Sequence, residues 1–183
     1  MPLETYKKIG IAVIVLSVAA IVILAANTSK QNKKAPAAKR TEINSQTGPM
    51  LGPEPIKEAS AFPDDPKQLA AIGDTYFENQ NFQQAIIVYE KAIKLNPKDV
   101  DTHNDLGLAY LYTGRPEKAI KTIKKGTEIN PIYQRIWLTQ GFILLSAQKQ
   151  EEAKQALEKA VELGPGTTIG TEAKRMIGLI KPN

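Results

Sequence analysis

The sequence predicts an all-α solenoid of helix-turn-helix units carrying one N-terminal transmembrane helix. Three observations lead there. Pro97, Pro131 and Pro165 recur at a spacing of 34 residues, and small residues fall in register with them. Upstream, Ile9 to Ala26 forms an uncharged run of eighteen residues. Aligned on the prolines, Gly73, Gly107 and Gly141 share one column, and Ala85, Ala119 and Ala153 a second. Ala92, Gly126 and Ala160 make a third, and Tyr76, Tyr110 and Leu144 a fourth. Self-similarity at a fixed period of this length marks a repeat architecture, whose units bury their apolar faces only by stacking on one another.

Within each unit two apolar stripes with spacings of three and four predict two amphipathic helices, as in Leu69, Ile72, Tyr76 and then Ala85, Ile86, Tyr89, Ile93. Asp65 before Pro66 reads as a helix start, with the carboxylate as N-cap and proline at the first helical position. Asn79-Gln80-Asn81, Thr113-Gly114-Arg115-Pro116 and Gln148-Lys149-Gln150 supply the turns inside the units, and the periodic prolines close them. The glycine and alanine columns let paired helices approach, while the large columns fill the space between pairs. Two departures stand out: polar Gln140 where the other units have Ile72 and Leu106, and Gly126 inside a helix, which costs about 1 kcal/mol relative to alanine. The repeat region is 63–166, with units 64–97, 98–131 and 132–165. Residues 167–183 form a capping helix, with Ala173, Met176, Ile177 and Ile180 on one stripe.

This period and these columns resemble the tetratricopeptide repeat, and the resemblance covers residues 64–165. It implies a right-handed superhelix whose first helices line a concave groove. Carried over column by column, the groove holds Ala70, Asn104 and Leu138; Asp74, Leu108 and Phe142; Phe77, Leu111 and Leu145; and Glu78, Tyr112 and Ser146. The implied trough is largely apolar, formed by Phe77, Leu108, Leu111, Tyr112, Leu138, Phe142 and Leu145, with Asn104 and Arg135 as polar contacts. Such a surface suits an extended or helical peptide with apolar anchors. Members of the family that clamp C-terminal carboxylates of chaperones use a set of Lys, Asn and Arg. Here the corresponding positions read Ala70, Asp74, Asp105, Arg135 and Thr139, and a single arginine cannot hold two carboxylates.

The N-terminal third divides into a basic tail (1–8), the apolar run (9–26) and a linker rich in Pro, Lys and Ala (27–62). At 1.5 Å per residue the run reaches roughly 27 Å, close to a bilayer's hydrocarbon thickness. A cleaved signal peptide competes with this reading, but a cut after Ala25 or Ala26 would place Ile23 or Leu24 at the −3 position, where a small residue belongs. The expectation is a single-pass protein of the plasma or inner membrane. Lys7, Lys8, Lys30, Lys33 and Lys34 would stand among lipid headgroups, and the excess of basic residues after the run favours a cytoplasmic repeat domain. Pro36, Pro49, Pro53 and Pro55 break any helix in the linker.

Composition narrows the chemistry. The net charge is +5 and the isoelectric point near 9.3. Residues 1–62 carry eight Lys/Arg against four Asp/Glu, while 63–183 carry sixteen against fifteen, so the basicity lies outside the repeats and nucleic acid is not an expected partner. There is no cysteine, which excludes disulfides, thiolate metal sites and a thiol nucleophile. The one histidine, His103, shares a column with Trp137 and reads as a packed helix residue. No glycine-rich phosphate loop occurs, and Lys118, Lys121, Lys124 and Lys125 read as a solvated strip. No cofactor and no catalysis are expected. The expected function is that of a membrane-anchored adaptor holding a partner protein or peptide, as an accessory factor in protein export, envelope assembly or cytochrome maturation. The alternative is a self-assembling component that uses the groove as a homo-oligomer contact.

Overall fold

The computed structural model describes residues 57–180, and among them there are seven α-helices and no strand. They are α1 (Pro66–Glu78), α2 (Phe82–Leu95), α3 (Val100–Tyr112), α4 (Pro116–Ile129), α5 (Gln134–Ser146), α6 (Gln150–Leu163) and α7 (Thr168–Ile177). Helices α1/α2, α3/α4 and α5/α6 pack as hairpins, and the second helix of each hairpin also packs on the first helix of the next. Helix α7 touches both α5 and α6, the position a fourth unit's first helix would take. It thereby covers an end of the stack that would otherwise expose apolar side chains. One buried cluster, including Ile86, Tyr89, Leu106, Ala119, Ile123, Ile136 and Ile143, runs through all three hairpins.

The helix starts follow the sequence in part. Asp65 accepts from the Gln68 N–H at 2.7 Å, with Pro66 at the first position, and Asp99 and Thr167 cap α3 and α7 through their own side chains. Tyr133 holds the equivalent place before α5 and caps nothing. Repeat-closing prolines serve as acceptors: the His103 ring meets the Pro97 carbonyl at 3.0 Å through Nε2, and Trp137 Nε1 donates to the Pro131 carbonyl at 2.8 Å. The column shared by His103 and Trp137 therefore ties a helix back to the turn that precedes it, and His103 is buried as the sequence implied.

The turns inside the hairpins have a common geometry. Gln80, Gly114 and Gln148, spaced by the same period, all adopt positive φ (59°, 72° and 62°). At each, the amide of this residue bonds two residues short of the helix cap, as in Gln80 N–H to Phe77 O, and the next amide reaches one residue further back, as in Asn81 N–H to Tyr76 O. That is a Schellman closure, which glycine enters without steric cost and glutamine does not. Gln80→Gly and Gln148→Gly are each expected to stabilise the fold by about 0.5–1 kcal/mol, read as a rise in urea midpoint, and a fall in midpoint would contradict the argument.

Two expectations change here. The end of the presumed linker is docked: the Lys57 backbone exchanges two hydrogen bonds with the Gln84 side-chain amide (2.7 and 2.8 Å). Lys91 Nζ binds the Ala59 and Phe62 carbonyls and the Asp64 carboxylate, at 3.1, 2.6 and 2.7 Å. A 3-10 turn at Ala59–Ala61 and the edge-on contact of Phe62 with Tyr76 complete this strap along α2. The single-pass membrane localisation is corrected. Among the described residues no helix is long and apolar enough to cross a membrane. The longest have 14 residues, about 21 Å against a hydrocarbon core of about 30 Å. Segment 9–26 and Lys7, Lys8, Lys30, Lys33 and Lys34 lie outside the described residues.

Candidate functional site

Contact pattern defines the curvature. First helices touch first helices, with α1 against α3, α3 against α5 and α5 against α7, whereas no second helix touches another second helix. The chain of hairpins is therefore shorter along its α1–α3–α5 side, which is the concave face.

The sequence-derived groove residues lie on these helices and separate into two sets. Leu108, Leu138 and Phe142 are 2%, 4% and 4% exposed, and Asn104 is fully buried. Phe77, Leu111, Tyr112, Arg135 and Leu145 are half-buried and still meet solvent. At one end the rings of Phe77, Phe82 and Tyr112 stack against one another with centroids 4.8–5.8 Å apart. Apolar surface already withdrawn from water adds little when a ligand arrives. What this face still offers is its aromatic end and its polar centre.

The polar centre was only partly visible in the sequence. Arg135 Nη2 donates to Asp105 at 3.0 Å, and its Nη1 stands 3.6 Å from Asp101. Tyr133 donates to the same Asp101 carboxylate, Tyr89 donates to Asp74 at 2.8 Å, and Asn104 Nδ2 donates to Asp105 at 2.9 Å. Burial pushes Asp105 up to about 6 despite the Arg135 guanidinium and the Asn104 amide, with Asp74 and Asp101 adding to the rise. Burial also raises Asp74, beyond what the Tyr89 hydroxyl offsets, with Glu78 contributing in the same direction. Tyr133 is pushed up to about 12, first by burial and then by Asp101. Three carboxylates thus face one guanidinium. Asp101 and Arg135 are one repeat period apart, so a search for opposite charges in one column would have found their stacking on successive first helices. Among the described residues no group of His, Cys, Asp and Glu is arranged to hold a metal ion.

Stacked helical hairpins with a concave face of first helices define a helical-repeat solenoid. Family models described as "TPR repeat" and "Tetratricopeptide repeat" match residues 73–114 and residues 100–133 and 134–166. The chain belongs to the tetratricopeptide-repeat family. It is 29% identical over 103 residues to small glutamine-rich tetratricopeptide repeat-containing protein 2 of Mycosarcoma maydis, covering 56% of this chain and 29% of that protein. The HSC co-chaperone sgt12 of Aspergillus fumigatus matches at 25% identity over 95 residues, 52% of this chain and 28% of its own length. Mouse aspartyl/asparaginyl beta-hydroxylase matches at 29% over 123 residues, 64% of this chain and 17% of the enzyme. The chain thus spans less than a third of each of these relatives. Among solved structures, the first TPR of Spaghetti (RPAP3) bound to the HSP90 peptide SRMEEVD aligns with a TM-score of 0.57 at 25% identity, over 62% of this chain and 90% of that one. The names among these relatives are those of repeat and co-chaperone proteins, which joins the absence of a crossing helix among the described residues in overturning the single-pass expectation.

Proposed function

We propose that this chain is a non-enzymatic adaptor whose concave α1–α3–α5 face holds a segment of a partner protein. The observation that carries the reading is the contact pattern itself: first helices stacked side by side form a continuous inner face, with Phe77, Leu111, Tyr112, Arg135 and Leu145 on it still meeting solvent. A repeat structure of the same fold, 25% identical, is described as bound to a peptide. Asn104, Leu108, Leu138 and Phe142 form the floor beneath these residues and set the groove's shape. The peptide in that related structure ends in Glu-Glu-Val-Asp. A face carrying Asp74, Asp101 and Asp105 against one Arg135 opposes such an end, so the partner segment is of another kind. Accessory roles in protein export, envelope assembly or cytochrome maturation rested on a membrane-anchored architecture and lose that basis.

The test is site-resolved crosslinking to peptides selected by display on the full chain. A photoreactive residue in place of Leu111 should capture such peptides, and one in place of Lys121, on the second helix of the same hairpin, should not. Equal capture at both places, or no selectable peptide, would end the reading. A mass in light scattering that doubles with concentration, with capture confined to a second copy, would assign the face to self-assembly instead.

A further inference from the structure

Within the concave face every ordinary donor is spent on acceptors and acceptors remain over. The Arg135 guanidinium is shared between Asp105 and Asp101, the Tyr89 hydroxyl is committed to Asp74, and the Tyr133 hydroxyl to Asp101. Asn104 is fully buried; its Nδ2 is held by the Asp105 carboxylate, which fixes Oδ1 beside that carboxylate, and Oδ1 has no partner. Thr139, 2% exposed and one repeat period beyond Asp105, also keeps an unpartnered Oγ1. A buried acceptor without a donor is costly, and the three carboxylates leave an excess of two negative charges over Arg135. The centre is open on one side, since the Asp101 side chain is 63% exposed and Asp74 is exposed.

We propose that this acceptor-rich centre is a specificity site for a cationic side chain, arginine or lysine, of the partner segment. The inference rests on the adaptor reading above. A guanidinium or ammonium group is rich in donors and has no acceptor, so it matches a centre that lacks donors, and it balances the surplus negative charge. Its flexible apolar stem would lie along the half-buried aliphatic residues, Leu111 and Leu145, while its head enters past Asp101 toward Asp105 and Asn104. The centre therefore reads a basic residue set among apolar ones, and it rejects a carboxylate at the same place.

The experiment is selection of a phage-displayed random dodecapeptide library on the full chain, with sequencing of the bound pool, repeated with Asp74→Asn/Asp105→Asn. Circular dichroism checks that the variant keeps its helicity, and both substitutions are near-isosteric. The expected pool carries Arg or Lys at one fixed position flanked by apolar residues. A synthetic peptide from it should lose roughly tenfold or more in affinity when that Arg is replaced by citrulline, which keeps the shape without the charge. The double variant should lose the basic preference while retaining the apolar one. Peptides with no basic preference, or a basic preference unchanged in the helical double variant, overturn the specificity site and leave the adaptor reading standing. A library that yields no peptide at all overturns both.

Discussion

Gly126→Ala is expected to destabilise the chain by about 2 kcal/mol, although alanine is the better helix former by about 1 kcal/mol. A Cβ built on Gly126 would stand 2.1 Å from Ile136 Cδ1 and 3.2 Å from His103 Cβ. Ile136 is fully buried in the cluster that joins the hairpins, and His103 is 4% exposed, so neither has free space to move into. The added methyl must separate α4 from α5 or drive Ile136 out of its rotamer. A double-mutant cycle isolates the cause. Ile136→Val removes Cδ1 at a cost of about 1 kcal/mol, and in that background Gly126→Ala should be close to neutral, a coupling of about 2 kcal/mol. The control is Gly107→Ala, whose Cβ would meet Ile123 and Ile143 at an ordinary 3.5 Å and which should stabilise by up to about 1 kcal/mol. Urea unfolding of the five variants is the measurement. Additivity of Gly126→Ala and Ile136→Val would show that the contact is not the reason for the glycine.

The same residue shows where sequence reasoning stops. Helix positions, hairpin pairing and the cap were legible because period and apolar spacing encode which residues share a face. Gly126 read only as a helix weakness, since propensity is a property of one residue and the Ile136 side chain it accommodates is a property of two. The turns show a similar limit. Gly114 announces positive φ, but Gln80 and Gln148 take the same conformation because the hairpin demands it at that place in every repeat, whatever residue stands there.

For the concave face, the columns placed Leu108, Leu138 and Phe142 on the first helices, yet a column says nothing of exposure, and these three are withdrawn from water. The polar centre escaped because its members were read one at a time. Asp105 was weighed as a missing clamp residue and Arg135 as a lone match. Their pairing, and the surplus of acceptors around them, exists only when successive first helices stack one period apart.

That pairing makes stability depend on pH in a direction opposite to the usual carboxylate. Asp105 ordinarily titrates near 4 and in the fold at about 6, because burial outweighs the attraction of Arg135 and the Asn104 hydrogen bond, and Asp74 and Asp101 push the same way. The folded chain therefore binds the Asp105 proton more tightly than the unfolded chain. Its contribution is full below about pH 4 and is lost as the pH rises through 6. Between pH 7 and pH 5 the full chain should gain about 1 kcal/mol from this group, a rise of roughly 0.5–1 M in urea midpoint. Asp74, raised by burial against its bond from Tyr89, works in the same sense. Asp105→Asn is neutral at every pH and should flatten most of that rise. Arg135→Met removes the one cation facing Asp105 and should cost about 2 kcal/mol or more at pH 7, with part of the loss recovered at pH 5 as Asp105 takes up its proton. A wild-type midpoint that falls on acidification from pH 7 to 5, or an Arg135→Met defect equal at both, would show that Asp105 is ionised in the fold and that its desolvation is far smaller than its surroundings imply.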